Sequence, residues 1–260
     1  MKKVTVFVAS ARKKSTYGAA RQFLDNLCSY GDVEGEMVML SDYRLETCHG
    51  CIQCFMQGEE FCPFQDDRDA LIEKMVASDG VVFATPNYSF QVSAIMKQFL
   101  DRLGFFFHRP RFFGKTFTNI VAQGIYGGDR IVKYLDFVGS GLGFNTVKGT
   151  CITALDPMIE NEKRRIDKAL GQQSKRFHDR MLAEPFPKPT LFKLMAFRSA
   201  RTFIKHELGP GDRDYQYFEG KGWFESDYFY PVRLGPLGKA TGSLFDWLQA
   251  RWIKKRKAKR

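Results

Sequence analysis

The amino-acid sequence predicts an α/β fold, a doubly wound five-stranded parallel sheet. Short apolar runs rich in β-branched residues, typical of strands buried on both faces, alternate with stretches whose apolar residues recur at helical spacing. Five such strand–helix repeats predict a doubly wound parallel sheet, for which we expect the strand order 2-1-3-4-5. We expect residues 1–187 to form this domain and residues 188–260 to form a basic, aromatic-rich C-terminal extension that packs on the core or on a partner subunit.

The predicted strands span residues 4–9, 36–40, 80–85, 117–122 and 147–154. Because proline has no N–H to donate, Pro86 is expected to break the third strand. The first helix follows the polar residues 10–17, and later helices are expected over about 130–142 and 160–182. Asp66 or Asp67 can cap the helix that follows it, and Ser93 can cap another.

The loop after the first strand has the composition of an anion site. Residues 10–17 are small, hydroxylated and basic, and a strand, a polar loop and a helix start together present free N–H groups and a positive helix end. Hydroxyl donors are available from Ser10, Ser15 and Thr16, and Arg12 adds a planar cation. Neither a dinucleotide fingerprint nor a P-loop is present, which leaves a loop for the phosphate of flavin mononucleotide (FMN). The alternative is an ordinary turn with solvated charges.

Two later loops could enclose a flavin ring, which needs flat apolar surfaces and close backbone approach. Tyr88, Phe90 and Tyr126 can supply the surfaces, and three glycines can supply the approach: Gly124, Gly127 and Gly128. The alternatives are core packing for the aromatic residues and plain turns for the glycines.

Four cysteines lie close together in sequence: Cys48, Cys51, Cys54 and Cys62. Their spacing suits one [4Fe-4S] cluster, and the proline after Cys62 is typical of the end of a ferredoxin motif. Redox-active thiols are a second interpretation, and zinc a third. Cys28 and Cys151 fall in a predicted helix and strand and are expected to be packing residues.

Three segments together resemble a known family: Ser10-x-Arg12-x-x-Ser15, Thr85-Pro86-Asn87-Tyr88-Ser89, and Lys97-Gln98-Phe99-Leu100-Asp101-Arg102. They resemble the flavodoxin-like NAD(P)H-dependent FMN reductases, and the cysteine spacing resembles the iron–sulfur flavoproteins of that group. The resemblance covers about residues 3–183 and implies a flavodoxin-like fold. Two departures from the family pattern are Tyr17, where many members have Thr, and residues 123–128, which replace Thr-Gly-Gly.

The resemblance also implies roles for particular residues. The FMN phosphate would lie on Ser10, Arg12, Lys13, Ser15, Thr16 and Tyr17. The ring would lie between Pro86, Asn87, Tyr88, Ser89 and Phe90 on one side and Gly124, Ile125, Tyr126, Gly127 and Gly128 on the other. The metal ligands would be Cys48, Cys51, Cys54 and Cys62. A catalytic acid or base is not expected, because the flavin carries out the hydride chemistry.

The net charge of +11 is concentrated in the extension, where residues 188–260 contain 16 Lys and Arg against 7 Asp and Glu. Basic residues interleaved with aromatic ones suit a packed cap, with peripheral contact to an anionic membrane surface as the second interpretation. Nucleic acid is not expected, since no nucleic-acid motif is present. No run approaches the roughly 18 apolar residues of a membrane span, and the first apolar run is shorter than the roughly 7 to 15 residues of a signal peptide, so we expect a cytoplasmic protein.

Two classes of function fit these patterns. The first is an FMN-dependent oxidoreductase, expected as a homodimer or tetramer, that passes electrons from NAD(P)H to a small-molecule or protein acceptor. The second is a non-catalytic iron–sulfur or flavin electron carrier, or a redox sensor. Oxidation of a pyridine nucleotide distinguishes them.

Overall fold

The structure is a computed structural model that describes residues 1–155 and 157–259. Asp156, in the expected sheet domain, and Arg260, the end of the expected extension, lie outside the described residues. The chain divides into two compact units. The first comprises Met1–Gly50 and Phe64–Pro185, and the second comprises Cys51–Pro63 and Phe186–Arg260. The second unit therefore includes three of the four clustered cysteines as well as the C-terminal residues.

The first unit is built on one sheet, and its central strands are parallel and buried. The strands are β1 (Lys2–Val8), β2 (Val33–Met39), β3 (Gly80–Tyr88), β4 (Gln91–Val92), β5 (Thr116–Gln123), β6 (Asn145–Thr146) and β7 (Thr150–Thr153). The order is β2-β1-β3-β5-β6, with β7 also paired to β5 and β4 paired to β3. The predicted order 2-1-3-4-5 is confirmed for the five parallel positions.

Two details of the sheet differ from the sequence prediction. The third strand is not broken by Pro86, because β3 continues to Tyr88 and Pro86 pairs with Ala122 of β5. Proline is tolerated there because its fixed φ suits extended backbone near a strand end. The fifth strand is divided into β6 and β7, both parallel to β5.

The helices of the first unit are α1 (Ser15–Cys28), α3 (Arg68–Ala77), α4 (Ala94–Arg102), α5 (Gly128–Gly141) and α6 (Glu160–Leu182). Ser93 caps α4 as predicted, since its hydroxyl accepts from the N–H of Met96. Asp67 occupies the N-cap position of α3, but its carboxylate accepts from the N–H of Arg44 instead. Asp66 accepts from the first N–H of α3, at Arg68.

Phenylalanines fill one side of the sheet, which explains part of the high Phe content of the chain. Phe7 lies 5.8 Å from Phe83 and 5.6 Å from Phe99, and Phe83 lies 5.0 Å from Phe117, each distance between ring centroids. All four rings are fully buried. Burial on this scale stabilises the sheet and fixes the positions of the strand ends.

The second unit contains α2 (Gln53–Met56), α7 (Leu191–Glu207), α8 (Arg213–Gly220) and α9 (Pro236–Lys257). Helices α7 and α9 pack together around Asp246, whose carboxylate accepts from Arg198, Arg201 and Thr202 at 2.6 to 2.9 Å. An aromatic cluster that includes Phe197, Trp223 and Phe229 lies beside them. Helix α2 packs against α8, so residues 51–63 belong to this unit.

Within the described residues, none of the helices combines the length and the apolar character needed to cross a bilayer.

Candidate functional site

The three predicted loops follow the carboxyl ends of β1, β3 and β5, which are neighbouring parallel strands of the sheet. Val8 at the end of β1 is paired with Ala84 of β3, and Pro86 of β3 is paired with Ala122 of β5. The N–H of Ala9 donates to the carbonyl of Ala84 at 2.8 Å. Because these strands are parallel, residues 9–14, 86–90 and 124–127 all leave the same edge, where ligands bind in doubly wound sheets.

Part of the predicted phosphate loop lies in the first turn of α1. Ser15, Thr16 and Tyr17 are helical, and the N-cap is Lys14. Among residues 1–155 and 157–259, no side chain forms a capping hydrogen bond at this helix start. The first turn of α1 contains no acidic residue. The N–H groups of this turn can therefore donate to an anion.

Basic side chains surround this helix start. Arg12, Lys13, Lys14 and the hydroxyl-bearing Ser15 are exposed. Ser10 is nearly buried, and its hydroxyl donates to the carbonyl of Arg12 at 2.9 Å. Ser10 therefore orders the turn that presents Arg12; its single O–H is used in this bond, so the predicted donation to a phosphate would need the hydroxyl to turn away from the Arg12 carbonyl.

Tyr17 has a partner of its own. Its hydroxyl accepts from the guanidinium of Arg21 at 3.3 Å, and this bond lowers the pKa of Tyr17, with the charge of Lys13 in the same direction. The ammonium of Lys13 lies 5.7 Å from the centre of the Tyr17 ring. Arg21, which the sequence analysis did not single out, adds to the positive charge near the helix start.

The turn between β3 and β4 is strained. Tyr88 pairs with Gln91, and the two residues between them, Ser89 and Phe90, have φ of 49° and 62°. Left-handed backbone costs a residue with a side chain roughly 1–2 kcal/mol. Tight two-residue hairpins need this conformation, and this hairpin adopts it although neither of its two turn residues is glycine. The result is that Tyr88 and Phe90 stand half-exposed above the sheet edge.

The second and third loops are joined by direct contacts. The amide of Asn87 donates to the carbonyl of Tyr126 at 3.0 Å, and the rings of Phe90 and Tyr126 lie 5.3 Å apart. Gly127 has φ of 94°, and a Cβ there would lie 2.7 Å from the Phe90 ring. Gly127 is thus required twice, for its backbone conformation and for the approach of Phe90. Of the residues predicted for the ring site, Phe90, Tyr126 and Gly127 come together.

Gln123 orders the start of α5. Its side chain accepts from the N–H of Gly128 at 2.7 Å and donates to Thr153 at 3.1 Å. A Cβ at Gly128 would lie 2.4 Å from the sulfur of Cys151, so Gly128 is needed for packing. Burial raises the pKa of Cys151 to about 11, which keeps it a neutral thiol. Gly124 and Ile125 are also in this loop; Ile125 is largely exposed, and a Cβ at Gly124 would meet no other atom.

A buried hydroxyl pair, Thr85 and Ser93, connects the first two loops. Ser93 donates to the carbonyl of Ala9 at 2.7 Å, and Thr85 accepts from the N–H of Ser93 at 3.1 Å. Sequence reasoning identified Ser93 only as a helix cap. Its position between a Thr-Pro strand end and a helix start was the available signal for this wider role.

The cysteine segment, defined as residues 47–65, begins and ends at a buried ion pair. Arg102 and Asp66 are 2% and 1% exposed in their side chains, and the guanidinium meets both carboxylate oxygens, at 2.5 and 3.1 Å. Arg102 also donates to the carbonyl of Glu46 at 2.9 Å, and Gln98 donates to that of Leu45. The two ends of the segment are therefore held by α4, through residues of the Lys97–Arg102 motif.

The carboxyl group of Asp66 stays ionised in this buried place. Burial alone would raise its pKa, but the N–H of Glu46, the guanidinium of Arg102 and the N–H of Arg68 together hold the pKa below its ordinary value. Sequence reasoning considered Asp66 only as a cap, and the signal that it missed was Arg102 at the end of α4.

The four cysteines are not assembled into a metal site. All six cysteines lie in the described residues, and none is in a disulfide. Over the described ranges, no group of three or more His, Cys, Asp or Glu is placed to hold a metal ion. Cys48 and Cys51 are exposed. Cys54 lies within the short helix α2, Cys62 directly follows a turn at Glu59–Phe61, and both are partly buried. The position of these cysteines after the second strand also predicts that the four thiols converge at the mouth of the flavin site whether or not a metal is present, and the described residues do not group them in this way. Cys28, expected to be a packing residue, is instead exposed on α1.

The comparison with known families agrees with the site. Residues 2–155 match the family described as NADPH-dependent FMN reductase, which is more than half of the chain. The protein belongs to this family and is an NAD(P)H-dependent FMN reductase-like oxidoreductase. The fold is flavodoxin-like.

Relatives extend the likeness beyond the sheet. The chain is 28% identical over 235 residues to a protein named iron-sulfur flavoprotein from Archaeoglobus fulgidus, covering 85% of this chain and 99% of that one. It is 37% identical over 82 residues to iron-sulfur flavoprotein MJ1083 from Methanocaldococcus jannaschii, covering 32% of this chain and 41% of the relative.

A solved structure resembles nearly the whole chain. The crystal structure of RosB with bound 8-demethyl-8-formylriboflavin-5'-phosphate gives a TM-score of 0.58, at 14% identity, over 91% of this chain and 92% of that one. At this identity the likeness shows the fold alone.

Proposed function

We propose that this protein carries electrons from NAD(P)H, through one bound FMN, to a small-molecule or protein acceptor. The observation that carries the proposal is the uncapped, acid-free start of α1, placed at the same sheet edge as the joined loops of Asn87 and Gly127. A helix start of this kind suits a phosphate, and an aromatic pair suits a ring. Membership of the FMN reductase family supports the same cofactor.

The residues of the first loop and of α1 bind and orient the phosphate in this proposal. Ser15, Thr16 and Tyr17 contribute first-turn N–H groups, and Arg12 and Lys13 contribute positive charge. Ser10 holds the loop through its bond to the Arg12 carbonyl. The short loop provides one anion site at the start of one helix, which suits a mononucleotide.

The ring loops supply apolar contact and one polar group. Phe90 and Tyr126 form an aromatic surface, with Tyr88 and Ile125 exposed beside it. Asn87 Oδ1 is a buried acceptor that has no hydrogen-bond partner among the described residues, so it can accept from an N–H of a ligand. Bound FMN supplies the chemistry of hydride acceptance and onward transfer of one or two electrons.

We further propose that Cys48, Cys51, Cys54 and Cys62 hold one [4Fe-4S] cluster. Support comes from the donor set, since four thiolates are the usual ligands, and from similarity to proteins named iron-sulfur flavoproteins. Among the described residues, no three of these thiols are placed to hold one metal ion, so the cysteine segment would have to change conformation when the cluster binds. No electron-transfer step is assigned through it.

Activity is tested by the oxidation of NADH and NADPH under anaerobic conditions, with the FMN-loaded protein and a quinone or free flavin as acceptor. Turnover that depends on bound FMN is the expected result. Stoichiometric reduction of bound flavin without continued turnover would favour a carrier or sensor instead.

The cluster is tested by counting iron and acid-labile sulfide in anaerobically purified protein. Wild type should contain both, and Cys51→Ser should lose both while FMN stays bound. Cys28→Ser, an exposed cysteine outside the segment, is the matched control and should retain the iron. Iron-free wild type after anaerobic reconstitution would contradict the cluster and leave the FMN proposal intact.

A further inference from the structure

Helix α9 has one side packed and one side exposed. Gly242, Asp246 and Ile253 recur at helical spacing and face α7: Asp246 binds Arg198 and Arg201, and a Cβ at Gly242 would lie 3.0 Å from Arg198. Gly242 and Ile253 are buried. These three residues define the packed face of the helix.

Large apolar side chains cover the opposite face. The exposed face of α9 consists of Leu237 (81% exposed), Leu244 (50%), Trp247 (53%), Leu248 (48%) and Trp252 (51%). At 3.6 residues per turn, these positions lie on the side of the helix away from the packed face. Leaving five such side chains in water is costly, and contiguous apolar patches of this kind mark interaction surfaces.

Four unpaired charges of α9 lie next to this face among the described residues, and they are positive. Arg251, Lys254, Lys255 and Arg256 are exposed and form no ion pair with any carboxylate that the structure describes. The one acidic residue of α9 is Asp246, and it is bound to Arg198 and Arg201. Lys257 differs, since it pairs with Glu207 at 3.1 Å.

The tryptophans and arginines of this face are associated. The guanidinium of Arg251 lies 5.2 Å from the centre of the Trp247 ring, and that of Arg256 lies 5.4 Å from Trp252. Such pairs keep a cation beside an apolar ring, as side chains do where an apolar region meets a charged one. Trp is enriched at the membrane–water boundary for this reason.

We propose that the exposed face of α9 binds the surface of an anionic lipid bilayer. Leucines and tryptophans would enter the boundary of headgroups and acyl chains, while the four unpaired cations would meet anionic headgroups. A second copy of this chain offers only the same cations on this face, so the charge favours lipid as the occupant. The helix lies on the bilayer in this proposal and does not cross it.

The test is flotation of the full-length, FMN-loaded protein with vesicles. Pure phosphatidylcholine is compared with phosphatidylcholine containing phosphatidylglycerol, at low and high salt. We expect binding to the anionic vesicles that weakens with salt. Failure to float with anionic vesicles at low salt would overturn the proposal.

Variants separate the apolar from the charged contribution. Leu244→Ser combined with Leu248→Ser should abolish flotation, and Lys254→Gln, Lys255→Gln and Arg256→Gln together should weaken it roughly a hundredfold, since each surface cation contributes severalfold. Phe137→Ser removes an exposed ring on α5 of the other unit and should leave flotation unchanged. Equal binding by all variants would contradict a role for α9.

Two further measurements exclude misfolding and other occupants. FMN content and circular dichroism should match wild type in every variant. Brominated lipid should quench Trp247 and Trp252 but not Trp223, which is 5% exposed. A dimer that dissociates in the leucine variant, with no vesicle binding by the wild type, would identify a second copy as the occupant. RNA binding that the leucine variant loses, again with no vesicle binding by the wild type, would identify nucleic acid; either result overturns the lipid proposal.

Discussion

The ion pair of Arg102 and Asp66 shows how one residue connects a family motif to the cysteine segment. Both side chains are almost fully buried, and each charge has its partner and further hydrogen bonds. A buried pair of this kind contributes little compared with apolar packing, but removal of one partner leaves an uncompensated charge. The pair therefore specifies where residues 46 and 66 lie.

Arg102→Ala should lower the free energy of unfolding by about 3–5 kcal/mol, because Asp66 would be left buried without its cation. Urea unfolding followed by circular dichroism measures this. The control is Lys97→Ala on the same helix, whose exposed pair with Asp101 should contribute less than about 1 kcal/mol. Equal losses for the two variants would contradict the role given to Arg102.

Asp66 should also make stability depend on acid. Its folded pKa is lowered, so its contribution is complete above the unfolded pKa of about 4 and is lost as the pH falls through the lower folded pKa. Asp66→Asn should therefore show a smaller loss of stability per pH unit below about pH 4. Asp179→Asn, at an exposed i,i+4 pair on α6, is the control and should keep the wild-type slope.

Arg12 should act on the phosphate of the flavin. A charge-assisted hydrogen bond contributes about 1.5–3 kcal/mol, so Arg12→Ala should weaken FMN binding roughly ten- to a hundredfold. Riboflavin, which has no phosphate, should bind with nearly unchanged affinity, and Arg165→Ala on the exposed surface of α6 should affect neither ligand. Equal losses for FMN and riboflavin would place Arg12 outside the phosphate site.

At the scale of the element, the joined ring loops depend on Gly127. Alanine there would need left-handed backbone, at roughly 1–2 kcal/mol, and would place its Cβ 2.7 Å from the Phe90 ring. Gly127→Ala should therefore displace Phe90 and weaken binding of both FMN and riboflavin, as measured by fluorescence titration. Gly171→Ala, in open space on α6, is the control and should leave binding unchanged. If Gly127→Ala binds FMN and riboflavin as tightly as the wild type does, the contact between Gly127 and Phe90 is not part of the flavin site.

The elements that sequence predicted well are those with a strong local pattern. Helix α6 was predicted at its observed bounds because its charged and apolar residues alternate at helical spacing over 23 residues. The doubly wound parallel sheet followed from the βα repeats. The prediction that Pro86 breaks the third strand was wrong. Proline interrupts a strand where its missing N–H would have had a hydrogen-bond partner, and strand pairing is a tertiary property.

The parts of the candidate site that the sequence could not predict depend on contacts between residues that are far apart in the chain. Ser93 reaches Ala9 across 84 positions, and Arg102 reaches Asp66 across 36. The left-handed Ser89 and Phe90 carry no glycine signal, so the tight hairpin was not foreseen. Motif resemblance located the three loops, while the bonds that join them required the fold.

At the scale of the whole molecule, the cysteine segment is divided between the two units: residues 47–50 and 64–65 belong to the first unit and residues 51–63 to the second. Its flanks, Glu46 and Asp66, are held in the first unit, while Cys51–Pro63 belongs to the second, where Glu60 lies 3.6 Å from Arg213. Residues 188–260 are consequently not the whole of the second unit, which also takes in part of the loop after β2.

The central claim, that one FMN binds by its phosphate at the start of α1, is tested by titrating the flavin-free protein with FMN, riboflavin and FAD in a calorimeter. We expect one FMN per chain, with riboflavin weaker by at least about tenfold, since the phosphate adds charge-assisted bonds to the first-turn N–H groups and Arg12. FAD should also bind more weakly than FMN, because the short loop provides a single anion site. Equal affinity for FMN and riboflavin, or preference for FAD, would contradict the account.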